Sequence, residues 1–136
     1  MDRQEMAEPS PTLRDLVTPR AAGRFEYCRI LQARDRLKFH LEHVMPRQHG
    51  GQSTVANLAL ACSRCNWHRG TNLSAIDPDS GLVSMICNPR TDAWEEHFHL
   101  KPDGTVSGRT ATGRSIVRLL RMNNPSRVIL RSELPA

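Results

Sequence analysis

Apolar and polar positions alternate along residues 37–44, with Leu37, Phe39 and Leu41 set against Lys38, His40 and Glu42. A period of two predicts a half-buried strand, and Pro46 ends it because proline donates nothing to a ladder. The apolar run LALA at residues 58–61 predicts a second strand, after a loop marked by Gly50-Gly51 and Ser53-Thr54. Residues 62–65 then lead into one or two helical turns ending near Gly70. Further on, DPDSG at 77–81 is a turn signal, residues 83–86 form a strand candidate, and KPDGT at 101–105 joins a hairpin of residues 97–100 and 105–107. Residues 12–23 carry a weak helical pattern, with Leu13, Leu16 and Val17 on one side and Pro19 interrupting. Thr112 is expected to cap a last long helix reaching about Met122, and Pro125 to open one more short helix ending before Pro135. Polar residues 1–11, with Pro9 and Pro11, read as an unstructured lead-in. No repeat or linker divides the remainder, so residues 12–136 are expected to form one domain.

Composition narrows the class. A chain of 136 residues buries roughly two-thirds of its unfolded surface, yet aromatics are only 4% of it. A core that thin gains from a bound metal. No apolar run approaches the ~20 residues of a membrane span, and the charged N-terminus lacks an apolar leader segment, so a cytoplasmic protein without a membrane partner is expected. Nineteen Lys and Arg against 14 Asp and Glu give +5, which favours an anionic partner, nucleic acid first. Four cysteines in such a compartment read as metal ligands or free thiols before disulfides.

Unusual residue choices concentrate in FHLEHVMPRQHGG and NLALACSRCNWHRG. Strand alternation puts His40 and Glu42 on one face. Two readings are open: a solvated edge strand, or a divalent metal held by Glu42 with His43 beside it as a general base. Cys62 and Cys65 form a C-x2-C pair, the spacing tetrahedral zinc takes from one turn of chain. Upstream stands Cys28 alone, with Phe25 three residues before it, so the set is one ligand short. A histidine, Cys87 or water completes it, or the zinc is lost.

The order Glu42-His43-Val44-x-Pro46, Gly50-Gly51, Asn57-Leu58 and Cys62-x2-Cys65-Asn66-x2-Arg69-Gly70 resembles the HNH endonucleases, the small stand-alone bacterial members above all. Residues 24–70 carry the resemblance, and segments within 71–136 (IDPDSG, NPRTDAWEEHF, GRSIVRLLRMN) look like that family's C-terminal extension. It implies an α+β fold: a small ββα-metal finger with flanking helices and a C-terminal hairpin and helix extension. By position, His43 is the base that takes a proton from water, Glu42 binds the catalytic metal, and Asn57 ties the loop to the strand and so orients the histidine. Asn66 reaches the metal from the helix. His68 is the alternative, but residues two apart on a helix differ by about 200° and cannot easily share a metal. His40 is a further ligand or a partner of one. The resemblance implies one catalytic Mg²⁺ or Mn²⁺ and products with 5′-phosphate and 3′-hydroxyl ends. It also implies a structural Zn²⁺ at Cys28, Cys62 and Cys65, incomplete because Phe25 stands where the first knuckle begins with Cys.

Arg47, Arg64 and Arg69 flank this region and are expected to contact DNA phosphates. Arg114, Arg118 and Arg121 make a stripe on the last long helix, read as a solvated face before a phosphate contact. Trp67 and Trp94 read as packing residues. No helix offers a run of base-reading side chains, so binding dominated by phosphate is expected. The sequence therefore points to a metal-dependent nuclease that nicks or cleaves DNA. The alternatives are a non-catalytic zinc-finger-like binding module and an RNA-directed nuclease.

Overall fold

The computed structural model describes residues 11–37 and 39–132. The expected lead-in therefore lies outside the described residues except for Pro11, as do Lys38 and Pro135. Helix α1 (Pro11–Arg20) takes Pro19 into its last turn and lies against the second strand through the buried Val17.

Strands β1 (His40–His43) and β2 (Leu58–Ala61) pair antiparallel, with His43 opposite Leu58 and His40 opposite Ala61. All four residues of β2 are buried, which is why its pattern is continuously apolar rather than alternating. β1 begins three residues later than its alternation predicts, and Leu37 is half exposed. The partner explains this. Beyond Ala61 the chain turns at Cys62 into helix α2 (Ser63–Arg69), so β2 offers no partner to Leu37 or Phe39. Cys62 caps that helix, its Sγ accepting from the Cys65 backbone N–H at 3.3 Å.

Two further hairpins follow. β3 (Ser74–Ile76) and β4 (Val83–Met85) are joined through the DPDSG turn, and β5 (Phe98–Leu100) and β6 (Val106–Gly108) through KPDGT. A short helix α3 (Trp94–His97) precedes β5. Helix α4 (Ala111–Leu119) is capped by Thr110 rather than Thr112: Thr110 Oγ1 accepts from the Gly113 N–H at 3.0 Å, while Thr112 bonds Ser84. Gly113 lets α4 lie directly on the preceding hairpin, since a Cβ there would stand 1.9 Å from the His97 carbonyl oxygen. Helix α5 (Pro125–Ser132) closes the described chain.

Among the described residues the three sheets stay two-stranded and separate; a single core of Phe25, Tyr27, Ile30, Leu58, Leu60, Phe98, Ile116, Leu120 and Met122 joins the first and the third, while β3 and β4 lie against α4. This is an α+β fold in which the first hairpin and α2 make a ββα unit. No helix among the described residues is long and apolar enough to cross a membrane.

One buried ion pair fastens the C-terminal half. Asp77, fully buried, accepts two bonds from Arg114 (Nε and Nη2, each 2.9 Å) and others from Ser80 Oγ and the Asp79 N–H. Those bonds, Arg114 foremost, hold the Asp77 carboxyl well below the usual carboxylate range. A carboxyl depressed in the folded state contributes stability above its unfolded value, about pH 4, and loses that contribution as pH falls below it. Asp77→Asn is therefore expected to lower the melting temperature at neutral pH, with the gap to the parent protein narrowing in acid. Melting curves across pH check this, and a gap independent of pH would contradict it.

Candidate active site and cysteine cluster

The loop from 44 to 57 leaves β1 and returns to β2, and one carboxamide holds its two ends together. Asn57 Oδ1 accepts from the Met45 N–H at 2.8 Å, and Asn57 Nδ2 donates to the carbonyls of Met45 (3.0 Å) and Gln52 (2.9 Å). The backbone ladder continues beside it, the Val44 N–H reaching the Asn57 carbonyl at 2.9 Å. Inside the loop Pro46 precedes a single 3-10 turn (Arg47–His49), and Gly50 leaves it at φ +93°. Gly51 must lack a side chain, because a Cβ would lie 1.6 Å from the Met45 carbonyl oxygen. So folded, the loop delivers Ser53 to the imidazole of His43, with Oγ 2.8 Å from Nε2, and Arg47 Nη1 donates to the same hydroxyl at 3.0 Å. His43 is buried but for 8% of its surface, so its ring is held by packing as well as by Ser53. Ser53 had no distinguishing spacing in the sequence; only the fold brings it ten residues back onto β1.

Glu42 lies on the other face of β1. Its Oε1 receives Arg69 Nη1 at 2.9 Å. The same guanidinium donates to the carbonyls of His43 (2.9 Å), Val44 and Asn72 (3.0 Å). Arg69 is 2% exposed, so the phosphate contact expected of it is corrected: its charge is spent inside the protein. Burial pushes the Glu42 carboxyl up, and Arg69 opposes that. Arg64 is also engaged, its Nη1 lying 3.2 Å from Asp35 Oδ2, and Arg47 is turned to Ser53.

Glu42 Oε2 and the Tyr27 hydroxyl are both buried without an ordinary hydrogen bond, and each acts on the other's charge; the Asn66 carboxamide stands one turn before Arg69, half-buried. A carboxylate and an amide oxygen are the types of hard donor that Mg²⁺ and Mn²⁺ take, with waters completing the shell. His40 stands two residues before Glu42 on the same strand face, half-buried. His68, half-buried on α2, has burial and then the charges of Arg121 and Arg127 keeping its imidazole below its ordinary value.

Of the two tryptophans, Trp94 packs as expected, its Nε1 donating to the Tyr27 carbonyl at 2.8 Å. Trp67 is instead 82% exposed. The helix decides this: α2 buries Cys65 and Arg69, each two residues from Trp67, which puts Trp67 on the opposite side.

Cys28, Cys62 and Cys65 are all buried with their sulfurs within 4.8 Å of one another, the only such group of His, Cys, Asp or Glu among the described residues. This cluster could hold a metal. The Cys28 and Cys62 sulfurs are 3.8 Å apart, the separation that bonds of about 2.3 Å give two thiolates on a tetrahedral zinc. Burial would raise the Cys28 thiol, but hydrogen bonds from Cys62 and Cys65 outweigh it and bring it well below its ordinary value. The bond to Cys28 pushes Cys62 up to about 11, and burial holds Cys65 well above the ordinary range. Three corners fit zinc and the fourth does not: Phe25 is buried in the core and offers no donor atom. Cys87, buried and pushed up to about 12 by burial, lies outside the group.

The HNH endonuclease family model matches residues 26–72, so this stretch, from the Cys28 turn through β1, β2 and α2, is similar to that family. No curated protein and no solved structure matches the chain. The match stops before β3, so the later hairpins and helices lie outside it, and Phe25 falls just before its start. The likeness supports a nuclease-type domain over residues 26–72, and a nucleic acid is the class of substrate that family implies.

The Arg69–Glu42 pair sets the measurable expectation. Arg69→Met leaves a carboxylate buried without its counter-ion and is expected to cost about 3–5 kcal/mol of stability. Adding Glu42→Gln removes that charge and should recover much of the loss. Urea unfolding of the single and double variants checks it, and equal losses in both would contradict the role given to the pair.

Proposed function

We propose that the domain is a metal-dependent endonuclease that hydrolyses DNA phosphodiester bonds with His43 as general base. The observation that carries the reading is the closed loop, in which Asn57 joins both ends and Ser53 engages His43 Nε2 at 2.8 Å. A base whose ring is oriented by a second group is the arrangement general-base catalysis needs. Water is a weak nucleophile, and a neutral imidazole near pH 7 accepts its proton during attack on phosphorus. Asn57 acts through the loop as a positioning residue: it fixes Met45 and Gln52, and thereby where Ser53 stands.

A divalent cation held by Glu42 and Asn66 would act as a Lewis acid toward the charge gathering on the phosphoryl oxygens and the leaving 3′ oxygen. Arg69 fixes Oε1 and opposes the upward push of burial on the Glu42 carboxyl, which leaves Oε2 as the oxygen that a cation would take. Arg47 and Arg64, each half-buried, have room to exchange part of their present bonds for a phosphate. The exposed Arg118 and Arg121 extend the basic surface. Binding of this kind is set by charge, weak in sequence preference and steep in salt.

Relaxation of supercoiled plasmid by the purified protein with Mg²⁺ or Mn²⁺ tests the reading. Metal-dependent nicking is expected, falling about 10²–10⁴-fold in His43→Ala with DNA binding retained. Ser53→Ala should lose less. Nicking that persists in His43→Ala would overturn the mechanism, and binding without cleavage under any divalent metal would make the domain a non-catalytic module. Parallel assays on single-stranded DNA and RNA separate a DNA enzyme from an RNA-directed one.

A further inference from the structure

Helix α5 is inverted with respect to the usual amphipathic rule. Its arginines face inward, Arg127 at 1% and Arg131 at 3% exposure, while Ile129 is 56% exposed. Arg131 donates to the carbonyls of Gly104 (2.7 Å), Cys28 (3.1 Å) and Met122. Arg127 reaches the carbonyls of Leu120 and Arg121, and its Nη2 lies 2.7 Å from Cys65 Sγ and 3.6 Å from Cys62 Sγ. Among the described residues neither arginine forms a salt bridge with a carboxylate. A buried guanidinium needs a counter-charge or acceptors for its donors; the Arg127 Nε has none, and its Nη2 finds sulfur.

The same sulfurs are the only group of three or more His, Cys, Asp or Glu side chains, among the described residues, that could hold a metal. No fourth His, Cys, Asp or Glu joins them among the described residues, and Phe25, three residues before Cys28, has no donor atom. Water has little access to so closed a space: the three cysteines are 0%, 0% and 1% exposed. The guanidinium that touches two of the sulfurs cannot coordinate a cation. The turn that presents Cys28 is meanwhile held without metal: the Arg29 N–H reaches the Phe25 carbonyl at 3.0 Å, the Phe25 N–H reaches Ile30 at 3.0 Å, and Arg131 holds the Cys28 carbonyl.

We propose that the Arg127 guanidinium stands in for the metal, so that Cys28, Cys62 and Cys65 form a sulfur–guanidinium site that is closed without zinc, and that Arg127 competes with thiophilic cations for these sulfurs. The site then fastens α5 to the start of α2, two elements 62 residues apart between Arg127 and Cys65. It is independent of whether the domain cleaves DNA.

The test measures zinc per chain in the full-length protein, purified under reducing conditions, and follows melting with and without a chelator. Zinc far below one per chain and a melting temperature indifferent to the chelator are expected. A full equivalent of zinc, whose removal lowers the melting temperature, would overturn the proposal. Cadmium titration, read from the ultraviolet thiolate-to-cadmium band, gives the second readout. Arg127→Met is expected to bind Cd²⁺ at least about tenfold more tightly than the parent, because the competing cation is gone. Weaker binding in that variant would mean that Arg127 supports a metal, and would also overturn the proposal. Should Arg127→Met not fold, Phe25→Cys restores a fourth sulfur and is expected to gain Cd²⁺ affinity over the parent. Equal affinity of parent and Phe25→Cys would place the fourth ligand elsewhere and count against Arg127.

Discussion

A single guanidinium, that of Arg69, joins the helix of the ββα unit to the strand that carries its histidine. It neutralises Glu42 and takes the carbonyls of His43 and Val44, where β1 gives way to the loop, and that of Asn72, where the chain leaves α2. These are carbonyls that neither strand nor helix can satisfy, and buried carbonyls without donors are costly. Take the guanidinium away and three chain segments lose their common anchor along with the charge balance of Glu42. The placement of His43 depends on this clamp from below and on Asn57 from above.

The device recurs. Arg127 gathers the carbonyls of Leu120 and Arg121 at the end of α4, and Arg131 gathers those of Gly104, Cys28 and Met122. A chain with three Phe, two Trp and one Tyr has few large apolar side chains to fill a core, and Arg69 and Arg127 are among its largest fully buried side chains. An arginine's apolar stem packs while its five donors satisfy backbone that turns inside the protein. The excess of arginine is thus partly an interior feature. The +5 balance overstates what a phosphate would meet at the surface, where Arg36, Arg109, Arg118 and Arg121 are exposed.

That is also where sequence reading stops. β1, β2 and α2 were legible because their period and the Cys62 turn are local, and so were both later hairpin turns, each built on Asp and Gly. Asn57 could be picked out only through the resemblance to the HNH endonucleases, since nothing in its own neighbourhood marks it. Arg69, Arg127 and Arg131 could not be seen as interior residues, since a charge gains its reason for burial only from carbonyls or sulfurs distant in sequence. Trp67 misled in the opposite direction: an aromatic reads as core, but its angle on a seven-residue helix puts it outside. The cap of α4 was placed at Thr112 because both threonines suit the role, and only the His97 contact and Gly113 bond select Thr110.

The two centres of the domain meet in α2. Its first turn begins at the cysteine cluster, where Cys62 caps it, and its last turn ends at the Arg69 clamp. A metal at the cysteines would act on the first turn, whereas the geometry of His43, Glu42 and the loop is set from the last. Phe25 therefore removes a zinc ligand without touching any contact that orients His43. What the missing ligand puts at stake is the attachment of the surrounding chain to the start of α2, and there Arg127 and Arg131 already bind α5 to the cluster and to the turn that carries Cys28. Scaffold and site are mechanically separable in this fold, so a change in one says little about the chemistry of the other.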